Sequence, residues 1–448
     1  MSSPKLNYER RELPKGSYRS ERFGLLAVVL VVGIVASTLP QPQALGKLPL
    51  QNILKNELHV KPNVMASFFF YCGVFWYIKP LAGILTDAFP LFGTRRRHYL
   101  LFSALLAAAA WVALGFMRHT FGRLLLAAIV VNLFMVMIST VVGAFLVEVG
   151  QSRGQVGRVS AVRQVTYNAC SVMQGPLGGL FATLPLAIAA GVNAAVVASI
   201  FPVAYFLLKE QPSTTTNPNA LVNARKQLGV IGRSGTFWVS LIFIALFYFA
   251  PGFSTLQYYR QNDVLHASQK QIGWLLAMVG LGGVVAASAY GYLAKRVALR
   301  WLLAFGVAAS AGGTLLYLFY NSLHVAFAID LQNGLFFGFA EVALIDLAAR
   351  ATPAGSEGMG YSLILSVRNI TLFGADKLGA WVSDTYHVSW STMVLLNAAT
   401  TAVVLIILPF MPRAIMRGRD QSAPNTENTG EPEPAPPDPQ VERQAEGP

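Results

Sequence analysis

Residues Tyr77–Leu100 read YIKPLAGILTDAFPLFGTRRRHYL, and the charges in this stretch are placed unusually. Lys79 stands in the middle of an apolar run and is followed directly by a proline. The run closes on Asp87, and six residues later Gly93 introduces three arginines, after which apolar residues resume. This pattern indicates an apolar helix that contains one buried cation and ends in a charged turn.

The composition favours a membrane protein. The chain has 448 residues, of which 54% are hydrophobic and 12% are charged, whereas a soluble domain is about 25% charged. A net charge of +13 suits contact with anionic lipid headgroups. No basic stripe on a polar fold is visible, so we expect no nucleic-acid partner. The two cysteines, Cys72 and Cys170, lie inside apolar runs and set no disulfide framework.

Twelve apolar segments are long enough to cross a bilayer, which takes about 20 residues. The first is short and is expected to continue irregularly past Pro40. The segments cover residues 23–40, 64–86, 99–117, 122–147, 158–181, 184–208, 236–256, 271–293, 299–319, 324–348, 358–384 and 390–411. We therefore expect an all-α membrane protein with five parts. These are a basic cytoplasmic N-terminus (1–22), a six-helix half (23–208), a cytoplasmic central loop (209–235), a second six-helix half (236–411) and a disordered cytoplasmic tail (412–448).

The basic residues set the expected orientation. With both termini inside, the cytoplasmic segments hold 22 Lys and Arg residues and the outer loops hold 7. Cytoplasmic loops of membrane proteins carry an excess of these residues. Both termini are therefore expected on the cytoplasmic side of the cell (inner) membrane.

The two halves repeat a motif. After the second segment comes Gly83-x-x-x-Asp87 with the arginines at 95–97, and after the eighth comes Gly291-x-x-x-Lys295. Any tight inner loop collects glycine and basic residues, but the six-plus-six count agrees with a repeat independently. Two related six-helix halves predict the major facilitator fold of twelve transmembrane helices.

The charged turn has two open interpretations. As a conformational latch, it would hold the two halves together through ion pairs at the cytoplasmic face. As a topology determinant, its arginines would only fix the orientation. The residues assigned to the latch are Gly83, Asp87, Gly93, Arg95, Arg96, Arg97 and Glu148.

Several motifs resemble the folate–biopterin transporter family within the major facilitator superfamily. The opening stretch and the tryptophan just before it carry residues typical of this family: Trp76, Lys79-Pro80, Gly83, Asp87, Pro90, Gly93, the arginines at 95–97, and Tyr99-Leu100. QYYRQNDVLHASQKQIG (257–273) resembles the family's tyrosine-rich end of the seventh span and the loop after it. ATPAGSEGMGYSLILSVRN (351–369) resembles the family's Pro-x-Gly-x-Glu-Gly turn and eleventh span. The family usually has an Asp on the fourth span, whereas here STVVGAFLV precedes Glu148. The resemblance covers most of residues 25–410 and implies a transporter of folate- or pterin-like molecules.

Two cations lie deep inside predicted spans. Lys79 is eight residues before Asp87, or about 12 Å from the helix end, and Arg368 is eleven residues after Glu357, or about 16 Å. An ionised residue at mid-bilayer costs at least about 2.5–3.5 kcal/mol, which makes both candidates for function. They belong to opposite halves and are expected to meet an anionic substrate between them. The alternative for Arg368 is a structural salt bridge with an acid of the tenth span. Arg163, about one turn inside the fifth span, is expected to reach the membrane surface.

Acidic and aromatic side chains complete the candidate site. Asp330 and Glu341 are eleven residues apart, close to three helical turns, so they share a face of the tenth span. A carboxylate accepts the amide and amino edge of a pterin in two parallel hydrogen bonds, and the carboxylates of folate suit Lys or Arg. An aromatic cluster at the end of the seventh span offers a surface on which the ring could stack, although such clusters more often form an interfacial belt. The substrate-binding residues are thus expected to be Lys79, Arg368, Glu341, Asp330, Tyr258 and Tyr259.

Catalytic motifs are absent from the sequence. The histidines are scattered without an H-E-x-x-H, and neither G-x-S-x-G nor G-x-x-x-x-G-K-[ST] occurs. We expect no enzyme activity, no metal and no cofactor, with a proton gradient as the driving force. The expected protein is a monomeric carrier of folate- or pterin-like molecules. The alternative is a proton-antiport exporter of drug-like or nucleoside-like solutes, including molecules like S-adenosylmethionine.

Overall fold

The computed structural model describes residues 23–89, 91–94, 96–152, 156–208 and 220–416. Helices dominate these ranges, and an isolated bridge joins Leu91 to Thr94. The first half contains α1 (Phe23–Thr38), α2 (Lys47–Asn52), a π-helical turn (Ile53–Glu57), α3 (Pro62–Cys72), α4 (Val74–Tyr77), α5 (Lys79–Ala88), α6 (Arg97–Phe116), α7 (Phe121–Ser152), α8 (Val156–Phe181), α9 (Leu186–Ala198) and α10 (Ile200–Phe206).

The second half follows a helix in the central stretch, α11 (Ala220–Gly232). It contains α12 (Gly235–Tyr248), α13 (Ser254–Asp263), α14 (Gln269–Leu293), α15 (Leu299–Thr314) with a 3-10 turn (Leu315–Phe319), α16 (Leu323–Ala351), α17 (Glu357–Tyr386), α18 (Trp390–Ile407) with a 3-10 turn (Leu408–Phe410), and α19 (Arg413–Met416). The all-α fold class is confirmed, and helices occur at all twelve predicted spans.

The spans differ in how apolar they are. Six described helices are long and apolar enough to cross a membrane: Arg97–Phe116, Phe121–Leu146, Leu186–Phe206, Gln269–Leu293, Leu299–Phe319 and Trp390–Phe410. A pair bent by 80°, Val222–Gly232 with Gly235–Tyr248, would add a seventh. The other predicted spans are short, broken or interrupted by ionisable residues. Ionisable residues are therefore concentrated in a few helices of each half, among them α5, α8, α16 and α17.

The first span continues past α1 through a kinked segment, as its sequence predicts. Pro40 and Pro42 have no backbone N–H to donate to a helix. The indole of the buried Trp111 donates to the Pro40 carbonyl at 2.9 Å. Gly46 packs so closely that a β-carbon there would lie 2.7 Å from the Trp111 ring. These contacts fix the bend and lead the chain into α2.

The two halves meet at the ends that the basic residues predict to be outside. The described hydrogen bonds and ion pairs between the halves join the first and second spans to the seventh and eleventh. Lys55 pairs with Asp263 at 2.5 Å, and Lys377 donates to the Tyr71 hydroxyl at 3.0 Å. We call this contact region the outer closure. It consists of the pairs Lys47–Ser254, Lys55–Asp263, Val60–Tyr259, Asn63–Asp384 and Tyr71–Lys377.

Glycines bring α8 and α14 together beside the outer closure. A β-carbon on either Gly175 or Gly273 would lie 2.4 Å from the carbonyl oxygen of the other. Small residues allow this backbone contact between membrane helices. Nearer the inner ends, Val165 of α8 and Val285 of α14 are 70% and 51% exposed. The two helices are therefore joined through their outer halves.

The charged turn between α5 and α6 is tight. Phe92 and Gly93 have φ angles of 47° and 77°, which correspond to a type I′ turn. Glycine adopts such an angle without steric cost. The Arg97 guanidinium donates to the Tyr205 carbonyl at 2.8 Å and lies 5.2 Å from the centre of its ring. Arg97 therefore ties the turn to α10 of the same half.

The proposed latch falls partly outside the described residues. Arg95 is not described, and neither are the side chains of Asp87 and Glu148, although their helices are. A β-carbon on Gly83 would lie 3.9 Å from the Thr140 side chain, which is an ordinary contact within the first half. A latch between the halves therefore stays a prediction.

The predicted tail begins later than residue 412. Met411 and Met416 are 3% and 4% exposed, and both belong to the apolar core of the second half. Burial of these side chains orders α19, so the structured chain reaches at least residue 416. The predicted N-terminal part (1–22) and the rest of the tail (417–448) lie outside the described residues.

The glycine contact can be tested by adding one methyl group. We expect Gly273→Ala to lower the free energy of unfolding by about 1–3 kcal/mol, because the new β-carbon overlaps the Gly175 carbonyl. The melting temperature of the purified protein in detergent measures this loss. Gly291→Ala, in the same helix with open space around it, is the matched control. Equal melting temperatures for the two variants would contradict the packing described here.

Candidate functional site

The second span is interrupted immediately before Lys79. Ile78 has φ −112° and ψ 21°, and α5 begins at the next residue. The break precedes Pro80 because proline has no N–H and crowds the preceding turn. The Lys79 ammonium donates to the Ser139 hydroxyl at 3.0 Å and lies 5.2 Å from the centre of the Trp76 ring. Among the described residues, Lys79 has no carboxylate partner.

A buried asparagine holds this interrupted span in place. The Asn132 amide of α7 donates to the Cys72 carbonyl at 2.9 Å and to the Gln43 side-chain oxygen at 3.0 Å. Its own oxygen accepts from the Trp76 indole at 2.9 Å. One side chain thus joins the first, second and fourth spans. The position of Lys79 therefore follows from a fixed polar junction as well as from proline.

The second cation, Arg368 of α17, is surrounded by acceptors. Its guanidinium bonds the Glu341 carboxylate of α16 and donates to the Tyr248 hydroxyl at 3.2 Å and the Asn369 oxygen at 3.1 Å. It also lies 5.0 Å from the centre of the Tyr248 ring. The side chains of Arg368 and Glu341 are 21% and 28% exposed. The ion pair is therefore partly desolvated and still open to a ligand.

Tyr167 of α8 links the first half to this ion pair. It interacts electrostatically with Glu341, Arg368 and Tyr248, all of which belong to the second half. Its side chain is 53% exposed. A tyrosine of the first half therefore lies within electrostatic range of the charges of the second half.

Arg163 lies in the same region. It is seven residues into α8, about 10 Å from the helix start, and its side chain is exposed. It acts electrostatically on Lys79, Tyr167 and Tyr361 of α17. The expectation that Arg163 reaches the membrane surface stays a prediction, whereas its charge acts on residues of both halves.

These side chains form one group between the halves. We call it the central group, and it consists of Lys79, Arg163, Tyr167, Tyr248, Glu341, Tyr361 and Arg368. With ordinary ionisation it holds three cations and one carboxylate. Within the described part of the chain, the group therefore has excess positive charge and several aromatic rings. It can bind a planar molecule that carries negative charge.

Asp330 lies apart from the central group. Its carboxylate is 1% exposed and accepts from the hydroxyls of Tyr317 and Tyr320, both at 2.8 Å, and from the Gln257 amide at 3.0 Å. A buried carboxylate requires such donors. Gln257 belongs to α13, which forms part of the outer closure. Asp330 and Glu341 therefore occupy different depths of α16 although they share a face.

Tyr258 and Tyr259 are also at the outer closure. The Tyr259 hydroxyl donates to the Val60 carbonyl of the first half. Tyr258 is 3% exposed and donates to Gln269 at 3.2 Å. Their rings pack edge to face with centres 6.3 Å apart. The structure does not bring either tyrosine to the central group.

The residues that sequence reasoning missed follow a recognisable spacing. Arg163 and Tyr167 are four residues apart and share a face of α8. Tyr361 and Arg368 are seven residues apart, about two turns, and share a face of α17. Polar residues repeated on one face of a predicted span could have indicated both pairs. Among the described residues, no group of three His, Cys, Asp or Glu side chains could hold a metal ion.

Comparison with known families identifies the chain. It matches the BT1 family over residues 42–303, more than half of its length, and the Major Facilitator Superfamily over residues 253–441. The chain belongs to the BT1 family. Its resemblance to folate–biopterin transporters, seen in the sequence motifs, is thereby confirmed.

Curated relatives of this BT1 protein cover most of its length. The folate-biopterin transporter of Synechocystis sp. (strain ATCC 27184 / PCC 6803 / Kazusa) is 24% identical over 92% of this chain and 85% of its own. Folate transporter 1 of Plasmodium falciparum (isolate 3D7) is 20% identical over 83% of this chain and 77% of its own. Family and relatives agree that this BT1 protein is a membrane transporter and not an enzyme.

Solved structures support the fold. A mutant of the nucleoside transporter NupG superposes with a TM-score of 0.68 at 11% identity, covering 86% of this chain and 99% of its own. The D-xylose-proton symporter superposes with a TM-score of 0.65 at 13% identity, covering 88% and 98%. The major facilitator fold predicted for this BT1 protein is confirmed.

The Arg368–Glu341 pair can be tested through stability. Glu341→Gln leaves the guanidinium without its anionic partner, so we expect the free energy of unfolding to fall by about 1–3 kcal/mol. Thermal unfolding in detergent measures the change. The double variant Glu341→Gln/Arg368→Gln removes both charges, and most of the lost stability should return. A double variant that melts as low as the single one would show that the ion pair is not the cause.

Proposed function

We propose that this protein is a secondary transporter that moves folate- or pterin-like molecules across the cell (inner) membrane by alternating access. The central group carries the proposal, because it places both signs of charge and several aromatic rings between the two halves. The names of the curated relatives from Synechocystis and P. falciparum support the substrate class. Lys79, Arg368 and Glu341 are the residues proposed to bind the substrate.

The chemistry of the central group suits such molecules. A pterin presents an amide and an amino group along one edge of a planar ring, and a carboxylate such as Glu341 accepts that edge. The rings of Tyr167 and Tyr248 offer aromatic surface beside it. The carboxylates of folate match the excess positive charge. A ligand of this kind would therefore satisfy the polar and the apolar features together.

The ion pair gives the transport cycle a proposed trigger. In the structure, Glu341 satisfies Arg368 and the outer closure is formed. A substrate that bonds either member competes with this pair and changes the balance between the conformations. The free energy of substrate binding then favours rearrangement of the two halves. The latch at the charged turn would act on the opposite face in the same cycle.

A proton gradient is the proposed driving force, and we assign the coupling of proton movement to transport to Asp330. This carboxylate is buried, has three hydrogen-bond donors and has no ion-pair partner among the described residues. Its donor Gln257 lies on α13 between two members of the outer closure, Ser254 and Tyr259. Adding a proton to Asp330 would remove one hydrogen-bond acceptor and so weaken the hydrogen bonding that anchors α13 through Gln257. Both termini are proposed to be cytoplasmic and the carrier to be monomeric.

Uptake into proteoliposomes tests the function. We expect labelled folate and biopterin to accumulate under an inward proton gradient, while S-adenosylmethionine and nucleosides do not. Lys79→Gln should weaken folate binding by about 2–5 kcal/mol, the scale for removing one partner of a desolvated charge pair, and weaken biopterin less. Lys226→Gln, an exposed cation of α11, serves as the control. Transport of nucleoside-like or drug-like solutes with no folate uptake would favour the exporter.

The coupling role of Asp330 requires a separate measurement. Asp330→Asn keeps the shape and a hydrogen-bond acceptor but takes up no proton. We expect gradient-driven accumulation of folate to be lost, while exchange of internal for external folate continues, because exchange needs no net proton movement. If the variant accumulated folate at the parental level, a residue other than Asp330 would have to couple proton movement to transport.

A further inference from the structure

The cations of the central group differ in how completely they are compensated. Arg368 has an anionic partner, two further acceptors and a tyrosine ring. Lys79 has only a serine hydroxyl and the Trp76 ring, and Arg163 has no described hydrogen bond or ion pair. Among the described residues, the positive charge without an anionic partner therefore belongs to the first half.

Lys79 and Arg163 belong to different helices of the first half, and both are members of the central group. Lys79 lies in α5, about 12 Å before Asp87, and Arg163 lies about 10 Å into α8, so both are at a comparable depth from the predicted cytoplasmic side. At this depth the charge of Arg163 acts on Lys79. A single negative group would neutralise one of them only. Two negative groups on one ligand would neutralise both and remove their mutual repulsion. The pair is thus suited to a dianion.

The second half offers a different kind of surface. The Glu341 carboxylate repels a negative group, and it has a second oxygen that can accept from a ligand. The Arg368 donors are largely used by protein acceptors. The centre of the Tyr248 ring of this half lies 5.0 Å from the Arg368 guanidinium, and Tyr361 interacts electrostatically with both members of the pair. This side suits a neutral, planar, hydrogen-bond-donating ring.

We propose that Lys79 and Arg163 form a subsite for the dianionic end of the substrate, and that this subsite fixes the orientation of the molecule between the halves. The inference rests on the proposed function and names Arg163 as a residue that determines specificity. A folate-like molecule would bind with its two carboxylates on the first half and its ring against Glu341 on the second. A neutral pterin would use the second half alone.

Two fragments of a folate-like molecule test the two sides of the site separately. p-Aminobenzoylglutamate carries the two carboxylates without a pterin, and biopterin is a pterin without carboxylates. In calorimetric titrations of the purified full-length protein, Arg163→Gln should weaken p-aminobenzoylglutamate at least about 30-fold. Biopterin affinity should stay within about twofold of the parent, which also shows that the variant is folded. Arg163→Lys keeps the charge and should restore most of the lost affinity.

Glu341→Gln removes the carboxylate proposed to accept from the pterin, so it should give the opposite pattern, with biopterin weakened more than p-aminobenzoylglutamate. Lys226→Gln should bind both fragments like the parent. Equal weakening of both fragments by Arg163→Gln, or none, would overturn the subsite while leaving the proposed function intact. A parent protein that binds neither folate nor biopterin would overturn the proposed function, and the subsite with it.

Discussion

A charge inside a membrane is costly unless something compensates it, and this constraint divides the helices of the protein. The most apolar helices hold little polar chemistry, whereas α8, α16 and α17 carry ionisable residues through their middle turns. Those residues can persist only where they meet a partner or water rather than lipid. The polar helices must therefore face the space between the halves, and the apolar ones can surround them.

Compensation is achieved differently at each site. The charge of Arg368 is neutralised by Glu341 from a neighbouring helix. Asp330 is stabilised instead by hydrogen bonds from two tyrosine hydroxyls and one glutamine amide. Lys79 has weaker partners, so its position depends on the backbone. Proline and the Asn132 junction interrupt the second span and hold the cation in place. The broken helix is therefore part of the site rather than a defect of packing.

The sequence predicts the fold class and the depth of Arg368, because hydrophobic length and charge depth depend on local spacing. It offers the salt bridge between Arg368 and an acid of the tenth span only as an alternative. It misplaces Asp330 relative to the central group for a geometric reason. Eleven residues keep Asp330 and Glu341 on one helix face but separate them by about 16 Å along the axis. The sequence indicates the depth of Arg163, which suggests the membrane surface, but only the packing of α8 shows which residues its charge acts on. Spacing determines face and depth, whereas partners depend on the tertiary arrangement.

The outer closure has the energetics that a reversible gate requires. Its members are single hydrogen bonds and ion pairs, and the side chain of Asp263 is 55% exposed. Exposed pairs of this kind contribute about 0–1 kcal/mol each. The glycine contact between α8 and α14 adds close packing without large interlocking side chains. Because the closure is a sum of small terms, a substrate or a proton that changes the relative free energy of the closed and open conformations by a few kcal/mol can reverse the balance between them. A closure built from a large apolar core would hold one conformation too firmly for transport.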